Sequence, residues 1–537
     1  MVTLQIHCLR QAVEERHRVY NQDETVYLQS NHFRSTLELK RRPFIYGAPP
    51  KSRIAKYFMG HSLGFDITDE IERLYRRSTI TEDSIHQEVR DFDLFDPQYV
   101  NVNEVTWKTT MSVVGQMFRL KEKGRPLHLK DLMDVEEVSA SLPWSHSPGL
   151  PYTDAGVHTK REAYDMDVDK LRSRLHNFKT GKTRLFELPP ALVSVRNHLI
   201  LADGPDKVRG VYAYPFDMWA IETMMCWDLI QRYKQEETAY AMQATPLIGG
   251  LNHITSNAYK YGNDFSKFDK TMPEWIIRQA FIILRQNIDL TKYRDWGVPD
   301  STAMYRLMRL IEDYFINTPL VTPTGRAFQK KNGIPSGSML TNLIGSICNA
   351  LCTVYGLLRT NAAFNQKACK FFGDDSVIVF HRNAKPTDWN SEEFDDVIYD
   401  SFGLISNSNK STESFGGTLE FLGYTVQDSN SLPRRDITPL LAGLMYPETR
   451  DRSVNDFFQR LIGMSYAGAF NRKFREACLR MEHTLRSTDQ IDWVHFHFKK
   501  SISRMMRQLG VPILDKPTCC QEQDLYSLVR RVGILVI

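Results

Sequence analysis

Cysteine is scarce in this sequence, with eight residues among 537 and no CxxC pair. That count excludes a disulfide scaffold and predicts free, buried thiols in a reducing compartment. An excess of charge of one sign is also missing: 68 Lys+Arg stand against 64 Asp+Glu, a net +4. A polybasic nucleic-acid coat is thereby excluded. There is no internal repeat and no low-complexity segment. The first twenty residues lack an apolar stretch, so a secretory leader is not expected. The longest greasy run, Leu343 to Leu358, is broken by Ser346, Asn349 and Thr353. It predicts a buried core helix and no membrane span. What remains is an ordinary globular composition, 42% apolar and 25% charged, long enough for roughly three or four domain-sized bodies.

Charge is unevenly distributed. Residues 170–209 carry nine Lys/Arg against Glu187, Asp203 and Asp206, and residues 451–510 carry eleven against six acids. Two basic blocks around an acid-bearing middle predict a groove with positive walls and an acidic floor. Breaker clusters at Pro43–Lys51, Pro143–Pro151, Pro319–Gly337 and Ser429–Pro439 mark boundaries. Beyond Pro273, residues Ile277, Phe281, Leu284 and Ile288 recur at helical spacing, with Thr271 as the expected cap and Pro273 in the first turn. From 454 to about 510 the pattern is again mostly helical. Cys369 to Phe380 is β-rich on both sides of Gly373-Asp374-Asp375, which predicts a hairpin with those residues at its turn.

Adjacent carboxylates at a hairpin tip suit a hard divalent cation such as Mg²⁺, although an Asp-rich turn alone is weak grounds. A partner lies in GNDFSKFDKTMP (262–273), where Asp264 ends an expected strand and Asp269 follows five residues later. If the two strands are sheet neighbours, Asp264 and Asp374 can share a metal, as two-metal phosphoryl transfer requires. Asp269 lies beyond that pair and is assigned to the sugar of an incoming nucleotide; the alternative is a helix-entry acid. Between them runs NGIPSGSMLTNLIGSICNA (332–350). Its Gly333, Pro335 and Gly337 form a loop through which backbone can approach a nucleotide, while Ser336 and Thr341 offer hydroxyl donors.

These three segments resemble motifs A, B and C of viral RNA-dependent RNA polymerases, in the same order, with 72 residues from Asp264 to Ser336 and 38 from Ser336 to Asp374. VRNHL (195–199) followed by KVRGVYAYP (207–215) resembles the basic finger motif F. SPGLPY (147–152) resembles the template-guiding motif G, SNSNKS (406–411) motif D and EFLGY (420–424) motif E. The wording of KVRGVYAYP, PSGSMLTNL and LMYPE (444–448) is most similar to polymerases of partitiviruses, small double-stranded RNA viruses, with those of picobirnaviruses second. The match spans roughly residues 140–450.

The resemblance implies an α+β fold, a closed right hand with fingers, a palm of antiparallel sheet plus helices, and a helical thumb. It divides the chain into an extension linking fingers and thumb (1–110), fingers (111–215 and 278–332), palm (216–277 and 333–430), and thumb with C-terminal tail (431–537). It implies template-directed RNA synthesis from nucleoside triphosphates (NTPs) with two Mg²⁺ or Mn²⁺ ions. Asp264, Asp374 and Asp375 would be the metal ligands and Lys410 the general acid for pyrophosphate. Asp269, Ser336, Gly337, Thr341, Arg196, Lys207 and Arg209 would bind the substrate. The implied partners are RNA template and product, NTPs and a viral capsid protein, with no membrane, in the virion interior and host cytoplasm. One position departs from the pattern: where many relatives carry Asn or Asp four residues after the motif B threonine, this chain has Gly345, followed by Ser346 and, one turn on, Asn349. Rival readings are a reverse transcriptase, which would usually have an apolar or aromatic residue at 269, and a non-catalytic RNA-binding or capsid protein. His495 and His497 share a face if their segment is a strand, but no third metal ligand accompanies them. Cys348 and Cys352 are expected in the core. Tyr212 and Tyr214, beside basic residues, are candidates for base stacking.

Overall fold

The computed structural model describes residues 39–94, 101–182, 188–244, 258–381, 385–387, 389–407, 410–414, 419–426, 434–494, 496, 498, 502–503, 506 and 516–525. His495, His497 and most of the apolar C-terminal tail lie outside them. The strands in chain order are β1 (Tyr75–Arg77), β2 (Ala191–Asn197), β3 (Leu199–Leu201), β4 (Val208–Ala213), β5 (Lys260–Asn263), β6 (Pro319–Val321), β7 (Ala327–Gln329), β8 (Lys370–Phe372), β9 (Asp375–Val379), β10 (Thr412–Ser414), β11 (Leu419–Phe421) and β12 (Tyr424–Val426).

The sheet that matters most for the site is antiparallel throughout, in the order β10–β5–β9–β8. Its strands are short; the central β5 and β9 are almost wholly buried, whereas β10 at the edge is partly exposed. The helix Thr341–Arg359 packs against β8 and β9. It is long and apolar enough to cross a membrane, yet 83% of its apolar window is buried inside the protein. Cys348 and Cys352 are buried in it, and all seven described cysteines are free. A second four-stranded sheet, β4–β2–β6–β7, carries the basic segment 191–213.

Two large cores result. The first gathers residues from Ile80 to Leu404, and the second joins Ala55, Phe58, Met59 and Ile71 to helices between Ile437 and Ser487. Residues 53–92 therefore belong to both: the helix Arg53–Leu63 lies in the second core, β1 pairs with β3, and Ile85, Val89 and Phe92 enter the first.

Several sequence expectations need correction. Thr271 does not cap the helix Glu274–Gln286; its hydroxyl donates to the Lys267 carbonyl instead. The free N–H of Glu274 is satisfied by Asn332 Oδ1 at 3.0 Å, a partner 58 residues away. Ile288 lies past that helix but stays in the core. Helical structure after 454 comprises Val454–Ala467, Arg472–Ser487 and, among the later described residues, 502–503, 506 and 522–525, while residues 488–494 interrupt it. Tyr212 and Tyr214 are 2% and 3% exposed, so neither offers a face to a base.

Phe58 is fully buried and stacks on Phe457 with ring centroids 6.0 Å apart. Phe58→Ala is expected to cost about 3–5 kcal/mol, read as a lower melting temperature, because a buried aromatic leaves a cavity. A change within about 0.5 kcal/mol would contradict the packing role of the N-terminal segment.

Candidate active site

The β5–β9 ladder sets the geometry. Its register pairs Asn263 with Ser376, so the next step along the two strands reaches Asp264 on one side and Asp375 on the other. Asp374 sits one residue before β9 in the two-residue turn that Gly373 opens, with a Gly373 φ of +66°. Asp375 is therefore the first strand residue and not part of the turn itself. Burial, reinforced by the charges of Asp374 and Asp264, pushes the Asp375 carboxyl up to about 7.

Two groups of side chains hold these carboxylates. From the helix Thr341–Arg359, Asn349 Nδ2 donates to the carbonyls of Gly373 (3.1 Å) and Asp374 (2.8 Å), and Ser346 Oγ accepts from Gly373 N (2.8 Å). From the segment before β10, Lys410 Nζ donates to Asp264 Oδ2 at 3.0 Å and Asn407 N to the Asp264 carbonyl at 2.7 Å. Ser408 and Asn409 of that segment lie outside the described residues. Desolvation would lower the Lys410 pKa, but the hydrogen bond and charge of Asp264, with Asp374 and Asp375 adding, hold the ammonium above its ordinary value.

The basic ribbon faces this cluster. Arg196 and Arg209 lie directly opposite one another across β2 and β4, a like-charge pairing that is unfavourable unless an anion answers it. Arg209 Nη2 donates to Asp269 Oδ2 at 3.1 Å. Desolvation would lower the arginine's pKa, but Asp269 and Asp374 outweigh it and the net shift is upward. Burial and the Asp374 charge push Asp269 up against the pull of Arg209. Lys207 is exposed, and its carbonyl accepts from Ser78 Oγ.

The Ser336–Thr341 loop docks on β4. Ser336 Oγ donates to the Gly210 carbonyl at 2.9 Å, and a Cβ at Gly337 would collide with the Tyr212 carbonyl oxygen. The close approach that Gly337 permits is thus to the ribbon backbone. Thr341 Oγ1 donates to the carbonyls of Pro335 and Ser338. Gly345 leaves space bounded by Gly373, Ile334 and Phe268.

Other residues, not singled out in the sequence, complete the site. Glu88 accepts from Gly210 N (2.7 Å) and pairs with Lys270 Nζ (3.1 Å), while Asp91 pairs with Lys267 (3.0 Å). These contacts hold the Asp264–Thr271 segment, where Lys267 adopts a left-handed φ of 50° that costs on the order of 1 kcal/mol. Asn342 Oδ1, in the helix behind Gly373, is buried with no hydrogen-bond partner. Glu222, also fully buried, accepts from Ser338 Oγ (2.7 Å) and Met339 N (3.0 Å) and so anchors the loop from behind.

Asp375, raised by burial and by the charges of Asp374 and Asp264, belongs to a donor set short of positive charge, which fits a hard divalent cation. Among the described residues, no three His, Cys, Asp or Glu side chains form a ready cage. Mg²⁺ takes few protein ligands and completes its shell with water and phosphate.

Burial pushes the Glu222 carboxyl up to about 7, against the pull of its two donors. The folded protein thus keeps a proton that the unfolded chain releases near 4.5. This group's contribution is present below that pH and is lost as pH rises through 7. Melting curves of wild type and Glu222→Gln are expected to diverge between pH 5 and 8. Wild type should lose on the order of a few kcal/mol more than the variant. Parallel curves would contradict a titrating Glu222.

Comparison with known proteins bears on this arrangement. The family model for viral RNA-dependent RNA polymerases matches residues 75–479. The RNA-directed RNA polymerase of Atkinsonella hypoxylon virus (isolate 2H) is 27% identical over 55% of this chain and 50% of its own length. That of Cryptosporidium parvum virus 1 (strain KSU-1) is 28% identical over 63% and 65%. That of white clover cryptic virus 1 is 23% identical over 52% and 49%. The matched region spans about half to two thirds of these relatives' length. A solved insertion-loop deletion mutant of a human picobirnavirus RNA-dependent RNA polymerase superposes with a TM-score of 0.60 at 13% identity, covering 90% of this chain and 99% of that one. The α+β right-hand polymerase fold is therefore shared, and because the family model spans most of its length, the chain belongs to the family of viral RNA-dependent RNA polymerases.

Proposed function

We propose that this chain is an RNA-directed RNA polymerase that transcribes and replicates the genome of a double-stranded RNA virus. The observation that carries this reading is the convergence of Asp264, Asp374 and Asp375 at the end of the β5–β9 ladder, with Arg209 in electrostatic reach of Asp374. In this reading β10–β5–β9–β8 is the palm sheet, the β2–β4 ribbon belongs to the fingers, and the helices after Ile437 form the thumb.

Polymerases of this family use divalent metal ions. Here Asp264, Asp374 and Asp375 would hold two Mg²⁺ or Mn²⁺ ions, which supply activation of the attacking 3′-hydroxyl and charge neutralisation at the leaving pyrophosphate. The protein's own groups do the rest. Arg209, Arg196 and Lys207 present cations to the triphosphate. Asp269, released from Arg209 as phosphates take that guanidinium, accepts a hydrogen bond from the ribose 2′-hydroxyl. Ser336, Gly337 and Thr341 hold the loop beside it, and Lys410, now on Asp264, stands near the leaving group as proton donor. An acid at position 269 favours this over the reverse-transcriptase reading. The RNA template and product and the NTPs are its working partners; a capsid protein, the virion interior and the host cytoplasm follow from the double-stranded RNA virus relatives.

The direct test is extension of a primed RNA template. Asp374→Asn is expected to lower synthesis by about a thousandfold or more while leaving fold and RNA binding intact. Substantial extension by a well-folded variant at ordinary Mg²⁺ would overturn the assignment.

Asp269→Ala should cut the preference for rNTPs over dNTPs by about ten- to a hundredfold, since a site built to bond a hydroxyl discriminates through its unpaired polar group. Equal loss for both sugars would instead assign Asp269 a structural part at the helix entrance. Arg209→Ala should raise the nucleotide KM far more than Lys170→Ala, whose side chain is 80% exposed and paired with Asp167.

A further inference from the structure

A cavity of about 290 Å³ opens between the turn at 128–130, the C-terminal half of the helix Lys160–Lys179 and Tyr293. It shares no residue with the carboxylate site. Five of its side chains are cations or imidazoles, namely His128, Lys130, Arg172, His176 and Lys179, and among the described residues no Asp or Glu lines it. Of the five, Arg172 has a carboxylate partner, the exposed Asp169 at 3.0 Å. Lys179 is half-buried, and burial lowers its pKa with no anion to offset the loss.

The remaining walls are apolar and flat. Leu129 and Leu175 are buried at 8% and 6% exposure. His128 stacks on Tyr293 with centroids 3.7 Å apart and on Trp296 at 4.4 Å, and Lys130 Nζ lies 4.6 Å from the Trp296 centroid. His128 Nε2 lies 3.2 Å from the Trp296 carbonyl, and Arg306 donates to the Lys179 carbonyl at 2.8 Å, so both rims are tied down. A cationic rim alone would suit any small anion. The apolar floor and stacked wall add a surface for a planar ring, and the volume suits one nucleotide and excludes a duplex.

We propose that this pocket is a second nucleotide site, separate from the catalytic centre, which takes a nucleoside 5′-polyphosphate either free or as the 5′ end of an RNA strand. The phosphates lie against Arg172, His176 and Lys179, and the base lies toward Leu129, Leu175 and the Tyr293–His128 stack. Phosphate recognition by several cations makes the binding salt-dependent, and its strength follows the number of phosphates.

The test uses the full chain and fluorescence anisotropy of one short labelled RNA carrying either a 5′-triphosphate or a 5′-hydroxyl. Wild type is expected to bind the triphosphorylated form about tenfold more tightly, and His176→Ala/Lys179→Ala to lose that preference. Arg172→Glu, at an exposed side chain, gives the same readout should the double variant fold poorly. Extension of a preformed primed template by these variants should match wild type, which separates failure of the pocket from failure of the polymerase reading. Displacement of the RNA by free GTP assigns the site to free nucleotide, and its persistence against GTP assigns it to the RNA end; both support the proposal. Equal affinity of wild type for the two RNAs, an unchanged preference in folded variants, or equal displacement by an acidic peptide would overturn it.

Discussion

Asp264 and Asp375 face each other across the end of the β5–β9 ladder with Asp374 beside them, and three carboxylates so close repel one another. Much of the surrounding structure opposes that repulsion. Lys410 supplies a counter-charge to Asp264, Asn349 and Ser346 fix the turn that presents Asp374, and Arg209 leans in through Asp269. Each of these contacts limits where the strands can move. Crowded carboxylates of this kind favour whatever brings positive charge, and the proposed binding of metal and triphosphate rests on that.

The same logic reaches the N-terminal segment. Glu88 holds both Gly210 of the ribbon and Lys270 of the Asp269 helix, and Asp91 holds Lys267. Ser336 closes the other side of Gly210, and Glu222 fixes the loop behind it. The ribbon that carries Arg209 is thus clamped between two segments distant in sequence. Its reach toward Asp269 is set by packing, and the group that meets Asp269 is a guanidinium from β4.

How much of this could be read from sequence varies with how local the cause is. The hairpin around Gly373 and the carboxylate after β5 were legible because turn chemistry and strand patterning are short-range. The Thr271 cap was not, because Asn332 arrives from 58 residues away. Tyr212 and Tyr214 misled as stacking candidates, although strand alternation already sends Tyr212 to the face opposite Arg209. Glu222 had a visible signal, a lone acid amid the apolar run MWAIETMMCW, but its partner loop could be known only from the fold. Glu88 and Asp91 carried no signal, since they precede the motifs between 147 and 448 that carry the resemblance.

The proposed function depends most directly on Asp264, Asp374 and Asp375 together holding divalent cations. Titration of Mn²⁺ into the protein, followed by the electron paramagnetic resonance signal of the free ion, tests it without recourse to activity. Saturable binding is expected, tightening when an NTP is added and weakening about tenfold or more in Asp264→Asn and in Asp375→Asn. Mn²⁺ binding that is the same in wild type and in both variants would contradict it.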